Sequence, residues 1–262
     1  MTVVFGAIAP HGDPAFAEGS ATRVAFEELG ARLERAEPDV TVVFTPHNVH
    51  VEGAFAVVTA ATLAGSLDEL PVELECVVDR ELAANVVGSL REAGVAAVGI
   101  SYGSNDESLA VMPMDWGTLI PLWFLGGRND EPRPVVVVSP ARDLELADHV
   151  RAGAAVAAAC SGRRAAIVAS ADHGHAHDPE GPFGFDPAAA EYDARVVDLV
   201  RENRLEDLVE LEPIVDAASA DSLWQLVLLH GALADGFDAE LLSYECPTYF
   251  GMLCAAFEPR EP

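Results

Sequence analysis

Short, continuously apolar runs alternate along the chain with stretches whose apolar residues recur every three or four positions. The first kind predicts buried strands at Val3–Ala9, Val40–Thr45, Phe55–Thr59, Val72–Val78, Ala96–Ile100, Val135–Ser139 and Ala165–Ser170, with a last one near Gly251–Phe257. The second kind predicts helices at Thr22–Ala36, Arg80–Ala93, Asp143–Ser161, Ala188–Asn203 and Asp221–Asp235. In Thr22–Ala36, for example, Val24, Phe26, Leu29 and Leu33 fall close to one helical face. Strands such as VVVVS are apolar at every position, as a sheet covered by helices on both faces requires. The expected fold is α/β: a single three-layer domain with a mixed or mostly parallel sheet covered by helices, spanning residues 1–262.

No internal repeat, low-complexity tract or long Pro/Gly/Ser linker divides the chain. Two irregular stretches stand out, Gly126–Pro134 and His173–Pro187, and long irregular loops inside compact domains usually serve a function. No apolar run approaches the roughly 18 residues of a membrane span. The N-terminus lacks the charged region and cleavage site of a secretory signal, so a cytoplasmic location is expected. The formal net charge is −28, and all 15 basic residues are arginine. A field of that sign repels phosphate backbones and argues against nucleic acid as a partner. A solvated acidic surface accounts for it without any acidic binding function.

The four cysteines, Cys76, Cys160, Cys246 and Cys254, have neither disulfide-framework nor CxxC spacing. Cys160 and Cys254 sit in apolar surroundings and read as core residues. The histidines carry more information. His11 and His47 each follow a proline at the carboxyl end of an apolar strand. In open α/β sheets that edge is where ligands bind. Either histidine alone reads as a structural, hydrogen-bonded residue; the repeated context points to a metal site. Two histidines and one carboxylate leave three positions open, the arrangement of non-heme iron(II) oxygenases. The candidate carboxylate is Glu245 in LLSYECPTYFGML, where an apolar setting makes an unpaired charge costly. Its competing reading is a strand-edge glutamate facing water. Beyond a buried strand, DHGHAHDPEGPFGFDP places His173, His175 and His177 at alternate positions. One or two of these histidines are expected to be exposed, and only one need be catalytic.

Five segments in order, the strand ending in PHG, TPHNVHVEGAFAV, MDWGTLIPLWFLG, ASADHGHAHDPEGPFGFDPAAAEYD and SYECPTYFGM, resemble the class III extradiol ring-cleavage dioxygenases. That superfamily includes the protocatechuate 4,5-dioxygenase β subunit and the 2-aminophenol 1,6-dioxygenase catalytic subunit. The resemblance covers about the whole chain. It implies iron(II) held by His11, His47 and Glu245, with His175 as the acid/base. Two departures accompany it. Trp116 stands where many members carry a histidine, and the turn before His175 reads ADHG rather than SGDLS.

The resemblance implies an enzyme that opens a catechol- or aminophenol-like ring with O2. His175 would take a proton from the substrate and later return one, work suited to an imidazole with an ordinary pKa of about 6.5. Trp116 and Phe183 are candidate walls for the ring. The partners expected are a small aromatic substrate and O2, with no nucleic acid and no membrane, in a homo-oligomer. Two alternatives stay open: a Zn(II)-dependent hydrolase or lyase using the same ligands, and a non-catalytic interaction protein of the same superfamily.

Overall fold

The computed structural model describes residues 2–260. Among the described residues, eleven strands and seven helices follow one another. The strands are β1 (Val3–Ala9), β2 (Val40–Phe44), β3 (Phe55–Val58), β4 (Thr62–Leu67), β5 (Val72–Val77) and β6 (Ala97–Ile100). They continue with β7 (Val111–Pro113), β8 (Val135–Ser139), β9 (Ala165–Ser170), β10 (Phe237–Glu245) and β11 (Met252–Pro259). The helices are α1 (Ala21–Ala36), α2 (Arg80–Glu92), α3 (Trp116–Phe124), α4 (Leu146–Ala159), α5 (Pro187–Arg201), α6 (Glu212–Val215) and α7 (Leu223–Leu233).

Eight strands form one mixed sheet in the order β10-β11-β1-β9-β2-β8-β3-β6. Its centre, β1-β9-β2-β8, is parallel throughout. β11 joins β1 antiparallel, β10 joins β11 antiparallel, and β3 joins β8 antiparallel. A smaller sheet, β5-β4-β7, sits beside it. The central strands β1, β2, β8 and β9 are buried at every position, the consequence of helices on both faces. The expected α/β fold with a mixed sheet covered by helices is the one observed. The four free cysteines also agree: Cys160 and Cys254 are core residues. Among the described residues, no helix is long and apolar enough to cross a membrane.

Local chemistry sets the helix ends. The Ser20 side chain accepts from Arg23 N–H to start α1, and Asp115 does the same for Thr118 N–H at α3. α7, LWQLVLLHGAL, is apolar around most of its circumference because it is enclosed by α4 and the sheet. Two glycines allow that close approach. A Cβ on Gly153 would lie 2.0 Å from the Leu228 carbonyl oxygen, and one on Gly231 would lie 2.1 Å from the Val150 carbonyl oxygen. The backbones of α4 and α7 therefore touch, which fixes where the residues just before α7 end up. Those residues matter for the site.

Candidate metal centre and cleft

Parallel strands with a common direction deliver their following loops to one edge of the sheet. β1 is followed by His11, β9 by Asp172, His173 and His175, β2 by His47, and β8 by Arg142. A cleft of about 1270 Å³ opens along that edge and is lined by His11, His47, Asp172, His175 and Asp221, among others. His11 and Asp172 are almost fully buried, whereas His47 and His175 are half-buried.

Three donor atoms converge there. His11 Nε2 and His47 Nε2 lie 2.9 Å apart. Asp221 Oδ2 is 3.7 Å from the first and 3.4 Å from the second. His11, His47 and Asp221 thus form a group that could hold a metal ion. The fit is physical. Two ligands bound at about 2.1 Å to a shared ion stand roughly 3.0–3.4 Å from one another. The other ring nitrogen of His11, Nδ1, is 2.9 Å from Ser170 Oγ, a partner that orients the ring with Nε2 toward His47. Asp221 Oδ1 is buried and has no hydrogen-bond partner among the described residues.

Electrostatics within the group follow from burial and proximity. Burial disfavours the charged form of His11, but the carboxylates of Asp172 and Asp221 outweigh it and push its pKa up to about 9. Burial alone would raise Asp221, yet the adjacent imidazoles of His11 and His47 hold it well below the usual carboxylate range. Asp172 goes the other way, raised chiefly by burial. Its Oδ1 accepts the His11 backbone N–H at 3.0 Å, so it fastens the loop that carries the His11 imidazole.

The structure brings together two of the three residues expected to bind metal. Glu245, at the end of β10, is not in the group: its Oε1 accepts the backbone N–H of Thr22, in the first turn of α1, at 2.9 Å. An anion there satisfies an orphan donor and meets the positive end of the helix dipole, which answers the cost of a charge in that setting. The carboxylate that lies beside His11 and His47 is that of Asp221. Periodicity places it at the start of the predicted helix Asp221–Asp235, and nothing in its local sequence separates it from an ordinary helix-initiating aspartate.

The three alternate histidines have separate fates, and none is fully exposed. His173 is buried, with Nδ1 3.0 Å from Ser222 Oγ, and Ser222 Oγ in turn lies 2.9 Å from Tyr192 OH. His177 Nε2 is 2.9 Å from Asp193 Oδ2, an ion-pair partner on α5. Only His175 lines the cleft. Its backbone N–H donates to Ala218 O, and its Nδ1 lies 2.8 Å from the His173 carbonyl oxygen. Because a carbonyl only accepts, that contact puts a proton on Nδ1 and leaves Nε2 with a free lone pair in the neutral ring. Aromatic rings surround it: Phe250 stacks at 5.4 Å, and Phe183 meets it edge-on at 5.3 Å.

Trp116 and Phe183 both line the cleft and are about half exposed. Trp116 lies over His47 with ring centroids 4.3 Å apart, so it walls the metal group from one side. Asp115 orients that region rather than reaching the metal group. It accepts from Thr45 Oγ1 at 2.6 Å and from Asn48 Nδ2 at 2.9 Å, tying the loop that carries His47 to α3. Gly117 leaves room for this arrangement, since a Cβ there would lie 2.6 Å from Thr45 Oγ1.

This donor group meets a decisive finding from comparison with known families. Residues 8–255 match the family model described as the catalytic LigB subunit of aromatic ring-opening dioxygenase. The chain belongs to the LigB family. Membership covers nearly the whole chain and agrees with the five-segment resemblance to extradiol dioxygenases. A curated relative, Protein CA_C1420 of Clostridium acetobutylicum, is 22% identical over 232 residues, 86% of this chain and 49% of the relative. The chain therefore spans about half the length of that relative. A crystal structure of the uncharacterized protein JW3007 from Escherichia coli K12 superposes with a TM-score of 0.68 at 17% identity, covering 97% of this chain and 99% of that one. At that identity the likeness speaks for the fold. LigB-family enzymes are metal-dependent and act on aromatic rings with O2, and the His11–His47–Asp221 group supplies donors suited to such an ion.

Proposed function

We propose that the protein is a non-heme iron(II)-dependent extradiol dioxygenase that opens a catechol- or aminophenol-like ring, with residues 1–262 acting as one catalytic domain. The observation that carries this reading is the convergence of two histidines and one carboxylate on a cleft whose wall also presents the free Nε2 of His175. His11, His47 and Asp221 would hold the metal. That donor set leaves open positions on one face, which suits iron(II) in oxygen chemistry. Bound there, iron(II) would supply the redox chemistry that lets O2 and a closed-shell ring react.

The chain's own residues would do the rest. His175 Nε2 accepts the proton of the entering ring hydroxyl, and the protonated imidazole returns one as the ring opens. The His173 carbonyl oxygen, 2.8 Å from Nδ1, steadies the imidazolium between those two events. Trp116, Phe183 and Phe250 offer flat apolar surfaces to the ring. The buried position of His11 and Asp172 keeps the inner end of the cleft poor in water, which strengthens each polar interaction made there.

Anaerobic reconstitution with iron(II) or zinc, followed by oxygen uptake on a panel of catechols and 2-aminophenols, tests the reading. Uptake of one O2 per ring with iron, and none with zinc, is the expected outcome. Activity that requires zinc and consumes no oxygen would move the same site to hydrolase or lyase chemistry.

A further inference from the structure

His11 is oriented through its own side chain, since Ser170 Oγ lies 2.9 Å from Nδ1. Asp221 is held differently. Its Oδ1 is buried with no hydrogen-bond partner among the described residues, so no protein donor fixes the plane of the carboxylate through that atom. An aspartate side chain turns about only two bonds and sits in few rotamers. The direction of the carboxylate is therefore inherited from the main chain at 221–222.

The next residue, Ser222, stands at the N-terminus of α7. A serine there ordinarily turns its hydroxyl back onto an N–H of the first helical turn. Ser222 does not. Its φ and ψ of −85° and −24° are already helical, and its side chain makes no capping bond. Oγ lies instead 3.0 Å from His173 Nδ1 and 2.9 Å from Tyr192 OH. All three residues are fully buried. Counting protons gives the chain a direction. Burial lowers the pKa of His173 and keeps its ring neutral. If Tyr192 donates to Ser222 and Ser222 donates to Nδ1, both hydroxyl protons are used and only the Nε2 proton lacks a partner. The reverse order strands two groups, the Tyr192 proton and the Nε2 lone pair. The first order is the better one.

This buried chain joins α5, the start of α7 and the segment just beyond β9. In the first turn of α7, Gln225 Nε2 also donates to the Ser170 carbonyl at 3.2 Å, and Ser170 is the residue that orients His11. Two of the three metal-facing donors thus depend on one contact, between the end of β9 and the beginning of α7. His173 serves the other side of the cleft as well, because its carbonyl oxygen holds His175 Nδ1. Buried polar chains whose members are partnered favour one local arrangement over its alternatives.

We propose that Ser222 is the positioning residue of the metal centre: its hydroxyl, held between Tyr192 and His173, sets the Asp221 carboxylate opposite His11 and His47. It acts through Asp221 and not as a ligand. This role rests on the metal reading of His11, His47 and Asp221, whereas the Tyr192–Ser222–His173 chain stands without it.

Cobalt(II), titrated into the metal-free protein under argon, reports affinity and, through its visible d–d bands, coordination geometry. The proteins compared are wild type, Asp221→Asn, Ser222→Ala, Ser222→Thr, Tyr192→Phe and Val156→Ala, each checked for folding by near-ultraviolet circular dichroism. Val156 is buried on α4 and does not line the cleft, so its variant loosens the core without touching the chain. Ser222→Ala is expected to weaken cobalt binding about tenfold, the lower end of the range for losing a residue that orients a ligand, and to shift the bands at saturation. Tyr192→Phe leaves Ser222 held from one side and should weaken binding by about threefold. Ser222→Thr keeps the hydroxyl and should stay within about twofold of wild type. Val156→Ala should melt lower yet bind cobalt as wild type does.

Wild-type affinity and bands in Ser222→Ala, or an equal loss in Val156→Ala, overturn the positioning role. An equal loss in folded Ser222→Thr also overturns it, since the hydroxyl is then not what matters. Should Ser222→Ala fail to fold, Tyr192→Phe decides, and wild-type affinity and bands there overturn the role. Loss of cobalt in Asp221→Asn with none in Ser222→Ala overturns the positioning role alone. No binding by wild type, or unchanged binding by Asp221→Asn, overturns the metal reading and the positioning role with it.

Discussion

The Nε2 atoms of His11 and His47 face each other at 2.9 Å. Two lone pairs cannot share that gap, so a proton or a cation must occupy it. Asp221 Oδ2 lies within 3.7 Å of both nitrogens and balances the positive charge placed there. Asp221→Asn and His47→Ala are each expected to remove stoichiometric metal, read by elemental analysis after anaerobic loading. Glu245→Gln should keep it, because that carboxylate serves the first turn of α1. Loss of metal in Glu245→Gln, with full occupancy in Asp221→Asn, would reverse the carboxylate assignment.

His175→Ala separates holding the metal from moving the proton. The donor group is complete without it, so metal content should stay at the wild-type level. Turnover should fall by roughly 10²–10⁴-fold, the usual scale for a lost general acid/base. His173→Ala tests a different role. Its ring is buried against Ser222, so the expected effect is a lower melting temperature with metal-specific turnover largely kept. Undiminished turnover in His175→Ala would remove it from the mechanism.

Asp193 on α5 fastens the loop that carries His175. It is buried and accepts three hydrogen bonds: from Gly174 N–H at 2.7 Å, from Tyr244 OH at 2.7 Å and from His177 Nε2 at 2.9 Å. Asp193→Ala leaves all three donors without a partner and is expected to cost about 2–4 kcal/mol in urea unfolding. Tyr244→Phe removes one donor and should cost about 1 kcal/mol. A loss below about 0.5 kcal/mol in Asp193→Ala would show that water replaces the carboxylate freely.

Periodicity exposed the parallel core because β1, β2, β8 and β9 are apolar at every position and helices must cover them. It did not expose α3, since WGTLIPLWF is buried nearly all round and shows no polar face. β4 escaped because TLAGSL is small, half-exposed and without strict alternation, and β10 because its register shifts between Leu241 and Ser243. In the site, His11 and His47 were legible because each follows closely on a strand whose end is the binding edge, whereas His175 was set apart from His173 and His177 only by the family resemblance. Asp221 was not legible, since its place depends on the glycine contact between α4 and α7. Asp172 likewise gains its role only from the pairing of β9 with β1. Glu245 shows the converse. An apolar setting marks a carboxylate as partnered without saying whether the partner is a metal or a helix end.

Far from the cleft, His149 on α4 gives a pH dependence that can be isolated. Its ring is fully buried beside Phe55, with ring centroids 4.9 Å apart. Nδ1 lies 3.0 Å from the Glu145 carbonyl oxygen, while Nε2 is buried with no partner among the described residues. Burial lowers its pKa below the ordinary 6.5, although the carbonyls of Glu145 and Ala141 work the other way. The unfolded chain then binds this proton at a pH where the folded chain does not. Stability is therefore fully present above pH 6.5 and is lost as pH falls below it, by at most about 1.4 kcal/mol per pH unit from this one group. His173 and His230 are lowered as well, so the slope of wild type contains more than one histidine. The comparison that isolates His149 is His149→Leu, which fills the same apolar space and cannot titrate. Urea unfolding of metal-free wild type and variant from pH 8 to 5.5 should show the two curves converging, or crossing in favour of leucine, as pH falls. Parallel curves across that range would mean that His149 takes up its proton in the folded state as readily as in the unfolded one.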